Sequence, residues 1–296
     1  MSYSFLNVMV FSLEKHQAIF VVSVDWSWLF RSAISLWAKW RNLQKAGIYQ
    51  AAESINSNKK EGYMTQRIVD LTLTLSDNMP AHKLFQRPIV APHLTHEKSL
   101  ELGLGVPDDP MTFATTFIST LDHIATHVDA FYHTSPTGAP VDEMPLSMFM
   151  GKAVCFDMTH IPDLGDIGVC DLEAAEDATG VRVDGHIVLL NTGLHKRHYP
   201  DIKVVWSNPG LTAEATHWLA DRGSKLHGVE GPSTDKPSHN LFPSHRVCRD
   251  RGITHYEWLV NLEELVGKGE FMFYGPPLKI QNGSGSPVRA WAVLEE

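Results

Sequence analysis

The stretch His123-Ile124-Ala125-Thr126-His127-Val128-Asp129-Ala130-Phe131-Tyr132-His133 sets three imidazoles and one carboxylate within eleven residues. His123 and His127 are four apart, a spacing that stacks both side chains on one face of a helix, one turn apart. Two neutral imidazoles so arranged can bind one divalent metal. Asp129 can complete a facial ligand set with positions left open for water and substrate. At about 100° per residue, Asp129 and His133 lie about 240° and 280° round from His123, so a straight helix would splay the four groups. The expectation is a helix that breaks near Asp129, with residues 130–133 folding back over the metal. Histidine is common here, sixteen in 296, so scattered polar residues on a surface helix are the plain alternative. The H-x3-H-x-D-x3-H spacing weighs against it. Ile124 stands where an H-E-x-x-H protease helix has its glutamate base, which excludes that motif.

The segment resembles the signature of the metal-dependent cyclase superfamily, usually H-x-G-T-H-x-D-x-P-x-H, which includes bacterial kynurenine formamidase and isatin hydrolase. Ala125 replaces the glycine and Phe131 the proline, and the four chemical residues remain. The resemblance implies hydrolysis of an amide or lactam bond, often beside an aromatic ring. It also implies one α/β domain with a mixed sheet, of the swivelling β/β/α type.

Hydrophobic content of 43% and charged content of 20% are ordinary for a globular chain with a sizeable core. The net charge of -9, without a basic run, argues against nucleic acid as a partner. Cys155, Cys170 and Cys248 are odd in number and widely spaced, which suits reduced thiols in a cytoplasmic protein. Residues 1–63 read differently, with Trp26, Trp28, Trp37 and Trp40 crowded together and a basic, acid-free run from Trp26 to Ala51. Such a stretch could lie on a membrane or serve in targeting, but no window reaches the roughly 18 to 20 apolar residues of a membrane span. The preferred reading is an extension outside the fold, joined by the polar linker 54–62. The family-like chain then occupies 64–296.

Alternation from Val69 to Leu75 predicts a strand, and Pro88 to Pro110 a long loop whose His93 and His96 are surface or substrate-loop residues, not ligands. Phe113 to Thr120 predicts a strand feeding the metal helix. Ala153 to Met158, His186 to Leu190 and Leu226 to Val229 read as buried strands. Asp171 is the expected cap of a helix over 172–177, and Thr212 caps the cleanest helix, ended by Gly223. Strands are expected over 271–274, 277–280 and 287–294.

A second constellation is His245 with Glu257, twelve apart and just before Asn261-Leu262. The resemblance to the formamidase branch makes them ligands of a second ion bridged by Asp129; the plain alternative is that they orient the first ligands. His255 competes, but a position two before the glutamate matches nothing in the resembled pattern. Glu230 to Asp235 resembles the family's G-x-D-x-P-S-x-D turn, in which Ser233 either bonds substrate or caps a turn. Phe131, Tyr132 and Trp206 either line an aromatic pocket or belong to the core.

A divalent ion lowers the pKa of a water it holds from near 16 to about 7, which makes hydroxide available beside a polarised carbonyl. His133 is the candidate for moving the proton to the leaving nitrogen, as in the formamidase branch, or else it is a further ligand. The expected function is metal-dependent hydrolysis of an aryl formamide or a cyclic amide such as isatin. One or two manganese or zinc ions per chain are expected, ligated by His123, His127, Asp129, His245 and Glu257. Lactone hydrolysis or dehydration on the same site, or metal binding without turnover, are the other readings. The expected partners are a small-molecule substrate and further copies of the chain, as a dimer or tetramer.

Overall fold

Val154, Phe156, Val188 and Leu190 pack to one side of a sheet, and Ala153, Cys155, Ile187 and Leu189 to the other; both sets are buried. Burial on two sides explains why these strands read as unbroken apolar runs. The computed structural model describes residues 65–106 and 111–295, so the expected extension 1–63 lies outside the described residues.

In chain order the first elements are β1 (Gln66–Asp70), β2 (Ile89–Leu94), α1 (His96–Glu101), β3 (Thr115–Ser119), β4 (His127–Asp129), α2 (Phe131–Thr134), β5 (Met150–Asp157), β6 (Asp166–Ile167) and α3 (Val169–Thr179). There follow β7 (Ile187–Asn191), α4 (Leu194–His198), β8 (Gly210–Leu211), α5 (Ala213–Asp221), β9 (Leu226–Val229) and α6 (Pro243–Arg251). β10 (Thr254–Glu257), β11 (Phe271–Tyr274), β12 (Gly285–Pro287) and β13 (Trp291–Glu295) close the chain. The main sheet runs β1-β13-β11-β5-β7-β9-β10-β4-β12. β5, β7, β9 and β10 are parallel, and the flanking pairs are antiparallel, which gives the expected α/β domain with a mixed sheet. α3 and α5 cover one face through Leu172, Trp218 and Leu219. Burying side chains of this size contributes about 1.5–3 kcal/mol each. None of the described helices is long and apolar enough to cross a membrane.

The sequence reading errs most at the opening stretch. His123 to His127 is not helical: residues 121–126 turn, and 127–129 form β4, paired to β10 on one side and β12 on the other. The turn is tied down by Thr126, whose hydroxyl donates to the Trp258 carbonyl (2.5 Å) and accepts from Leu73 N–H (2.7 Å). Strand alternation, not helical stacking, sets His127 and Asp129 on one face.

The long loop 88–110 contains β2 and α1, with β2 pairing β3 as a separate ribbon. His93 and His96 are on the surface. Gly168, not Asp171, begins α3; Asp171 is three residues in and accepts the Gly168 N–H. Residues 277–280 make only an isolated bridge, Pro277 to Val288, and 287–294 is divided between β12 and β13. The Thr212 cap of α5 is as expected.

Candidate metal centre

Asp129 lies at the middle of the site with its side chain buried. His123 Nδ1 is 2.8 Å and His127 Nε2 3.5 Å from its Oδ1. His255 Nε2 is 3.3 Å, His245 Nε2 3.7 Å and His133 Nε2 3.8 Å from its Oδ2. Glu257 adds a second buried carboxylate, 3.4 Å from His127, 3.1 Å from His255 and 3.9 Å from His245. Local structure explains the convergence. On β10, His255 and Glu257 are two apart and share a face, as His127 and Asp129 do on β4. α2 is a single turn that carries His133, and α6 carries His245. Gly285 stands opposite Asp129 on β12, and a Cβ there would fall 2.8 Å from His123 Cε1, so glycine leaves the room His123 occupies.

Each of three imidazoles is turned by a bond on its outer side. His127 donates Nδ1–H to the Ala125 carbonyl at 2.8 Å. Ala125 adopts a φ of +57°, the left-handed region that favours glycine, which is why the resembled signature carries glycine there. His245 donates Nδ1–H to Asp235 Oδ2 at 2.6 Å, and Asp235 also accepts the N–H groups of Ser244 and His245 at the start of α6. Ser284 gives its hydroxyl proton to Asp122 (2.6 Å) and therefore accepts Nε2–H of His123 (2.9 Å). The inward nitrogens, His127 Nε2, His245 Nε2 and His123 Nδ1, are then lone pairs facing carboxylate oxygens. His127 Nε2 and Asp129 Oδ1 are buried with no hydrogen-bond partner.

Lone pairs turned toward anions repel unless a cation or protons lie between them. Outer bonds to carboxylate, carbonyl and hydroxyl are what metal-ligating histidines carry. Two groups of ligand atoms share Asp129: His123, Asp129 and His133, and Asp129, His245, His255 and Glu257. The mixed imidazole and carboxylate donors fit a divalent ion such as zinc or manganese.

Where protons do the balancing, the pKa values record it. Burial pushes His127 down, but its bonds and charges with Asp129 and Glu257 outweigh this and lift it to about 10. Burial opposes charge on His255 too, and Asp129 holds it well above the ordinary histidine range. Burial would raise Glu257, yet His127 and His255 bring it down to about 2. Asp129 lies well below the carboxylate range because His255 and its neighbours overcome the same burial. His133 goes the other way: burial lowers it, so it is neutral near pH 7.

A cavity of about 450 Å³ opens onto His123, Asp129, His133, His245 and Glu257. Met79, Phe85, Trp206, Phe242 and Trp258 make its apolar wall, with the His82 ring 4.9 Å from that of Trp206. Ser233 lines it. Phe131 and Tyr132 do not: the single turn of α2 that directs His133 inward packs Phe131 on the core and leaves Tyr132 exposed. His255, set aside on sequence grounds, is in the site; its i, i+2 relation to Glu257 within a strand was the signal available. Asp122 and Ser284, which orient His123, carried no such signal.

The family model named Cyclase matches residues 69–236, a span that includes His123, His127, Asp129, His133 and Ser233 and ends before His245, His255 and Glu257. Kynurenine formamidase of Salinibacter ruber is 32% identical over 176 residues, covering 57% of this chain and 74% of that protein. Among solved structures, isatin hydrolase A from Ralstonia solanacearum is 27% identical with a TM-score of 0.67, covering 83% of this chain and 96% of that one. Isatin hydrolase A from Labrenzia aggregata, bound to benzyl benzoate, is 26% identical with a TM-score of 0.66, covering 84% and 100%.

Proposed function

The chain belongs to the Cyclase family, and on that premise we propose that it is a metal-dependent hydrolase of a carbon–nitrogen bond, in an aryl formamide or an isatin-like cyclic amide. The observation that carries this reading is the orientation of the rings. His123, His127 and His245 give their outer N–H groups to Ser284, Ala125 and Asp235 and turn lone pairs on two buried carboxylates. His123, His127 and Asp129 would hold one manganese or zinc ion, and His245 and Glu257, sharing Asp129, a second. Such an ion supplies a water of pKa near 7 and polarises the scissile carbonyl.

The protein's own groups do the rest. His133 borders the cavity and is neutral near pH 7, so it can take up the proton that the attacking water gives up and pass it to the departing nitrogen. The wall of Phe85, Trp206 and Phe242 receives the aromatic ring and keeps bulk water from the reacting bond, while the Ser233 hydroxyl orients the substrate. The hydrolase domain is assigned to 64–296. Residues 1–63 are not required for turnover, which a chain shortened to begin at Met64 tests. The free thiols Cys155, Cys170 and Cys248 suit a reducing, cytoplasmic setting. Ile89 and Phe117, exposed on one face of the β2–β3 ribbon, give a second copy of the chain an apolar surface to cover, making a homo-oligomer.

N-formylkynurenine, isatin and simple lactones, assayed with added manganese or zinc, test the proposal. Turnover of the formamide or isatin is the expected result. Turnover of lactones alone replaces it with ester chemistry on the same site, and no turnover of any leaves a metal-binding protein.

A further inference from the structure

Behind the Asp129 centre lies a second buried cluster that the hydrolytic reading does not use. One ring nitrogen each of His227 and His255 and the Cys248 sulfur lie within 4.8 Å of one another, and all three residues are buried. The His227 and His255 rings stack with centroids 5.3 Å apart. Nδ1 of both rings is buried without a hydrogen-bond partner.

A run of buried hydroxyls adjoins His227. Thr216 gives its proton to the Thr212 carbonyl at 2.9 Å. Thr216 Oγ1 is also placed to donate to Ser244 Oγ at 2.9 Å, and Ser244 and Thr234 lie 3.1 Å apart, where either hydroxyl can donate. Nε2 of His227 lies 2.8 Å from Thr234 Oγ1, whereas Nδ1 has no acceptor within reach; the ring proton therefore belongs on Nε2, where Thr234 can accept it, and Nδ1 is a lone pair. In His255, Nε2 faces Glu257 Oε1 at 3.1 Å, and Nδ1 is the nitrogen on the other edge of the ring. A hydrogen bond fixing the far nitrogen is the usual mark of an imidazole that ligates metal through the near one.

We propose that His227 Nδ1, His255 Nδ1 and Cys248 Sγ form a separate site for a soft d10 cation, cuprous copper foremost. One thiolate and two imidazoles are the donors such ions select. A closed zinc site takes four ligands, and this cluster offers three, so the smaller coordination demand of the cuprous ion fits better. Binding exchanges two protons for the cation, one from the Cys248 thiol and one from Nδ1 of the protonated His255 ring. His255 thereby joins the two centres, with Nε2 toward Asp129 and Glu257 and Nδ1 toward Cys248.

The test uses the full chain with its hydrolytic site first saturated with manganese. Anaerobic titration with cuprous ion against a chromophoric chelator should show one equivalent withdrawn per chain without loss of manganese. X-ray absorption at the copper edge should show one sulfur and two nitrogen neighbours. Cys248→Ser should weaken uptake at least about a hundredfold, and His227→Gln should also weaken it. The hydrolytic centre has no sulfur ligand, so a sulfur neighbour reports this cluster alone. No withdrawal of copper, or a copper spectrum with only nitrogen and oxygen neighbours, overturns the proposal; if Cys248→Ser does not fold, the wild-type spectrum decides. A parallel zinc titration that gives sulfur-ligated zinc where copper gives none retains the site and overturns the copper preference.

Discussion

His127 and Glu257 stand directly opposite each other on the antiparallel strands β4 and β10, and His127 Nε2 lies 3.4 Å from Glu257 Oε2. This register joins the two ligand constellations. A slip of one residue would turn Glu257 to the other face of the sheet and leave Asp129 without its companion carboxylate.

Glu257→Gln should therefore lower the bound manganese or zinc from near two equivalents per chain to near one, with His123, His127 and Asp129 still able to hold the first. Elemental analysis of protein saturated with metal and then desalted measures this. Wild-type protein that never exceeds one equivalent would leave His245 and Glu257 only the task of orienting the first ligands.

His133→Gln separates two roles for that residue. As the group that moves the proton, its loss should reduce kcat by about 10²–10⁴-fold with bound metal unchanged. As a ligand, its loss would reduce bound metal in step with activity. Metal content and kcat measured on the same preparation distinguish the two.

The pH dependence of the metal-free protein follows from two shifts. The folded pKa of His127, about 10, lies above its ordinary 6.5, so its contribution to stability is complete below 6.5 and is lost as pH rises through about 10. That of Glu257, about 2, lies below its ordinary 4.5, so its contribution is present above 4.5 and is lost as pH falls through about 2. Stability from this pair should be greatest between pH 4.5 and 6.5. A divalent ion must displace the His127 proton, so affinity should climb as pH rises, and binding should release protons. Calorimetric titrations in buffers of different ionisation heat count those protons, and a binding heat independent of buffer would contradict the assignment.

Trp206→Ala removes an aromatic face from the cavity wall. An aromatic contact contributes about 0.5–1.5 kcal/mol, so KM for an aromatic substrate should rise about two- to tenfold. A small aliphatic amide should show little change. An equal rise for both substrates would mean that Trp206 shapes the wall without touching the ring.

Much of this was legible in the sequence, though for a reason that needed correcting. His123, His127, Asp129, His133, His245 and Glu257 do gather round one carboxylate. The i, i+4 spacing suggested a helix, but bonds to β10 and β12 claim residues 127–129 for the sheet, and periodicity within one segment is blind to partners brought from elsewhere. The same blindness hid His255, whose approach to Asp129 depends on two strands becoming neighbours. Ala125 was visible as a departure from the resembled signature, and only its backbone shows why glycine is the common residue there. Whether Phe131 and Tyr132 line the pocket or pack elsewhere stayed open in the sequence, because aromatic character does not reveal which way a one-turn helix faces.

Turnover of isatin and N-formylkynurenine before chelation, after dialysis against a chelator, and after return of manganese or zinc tests the central claim most directly. The account predicts turnover that falls to background on chelation and returns with the ion. Full turnover by protein shown by elemental analysis to be metal-free would contradict it.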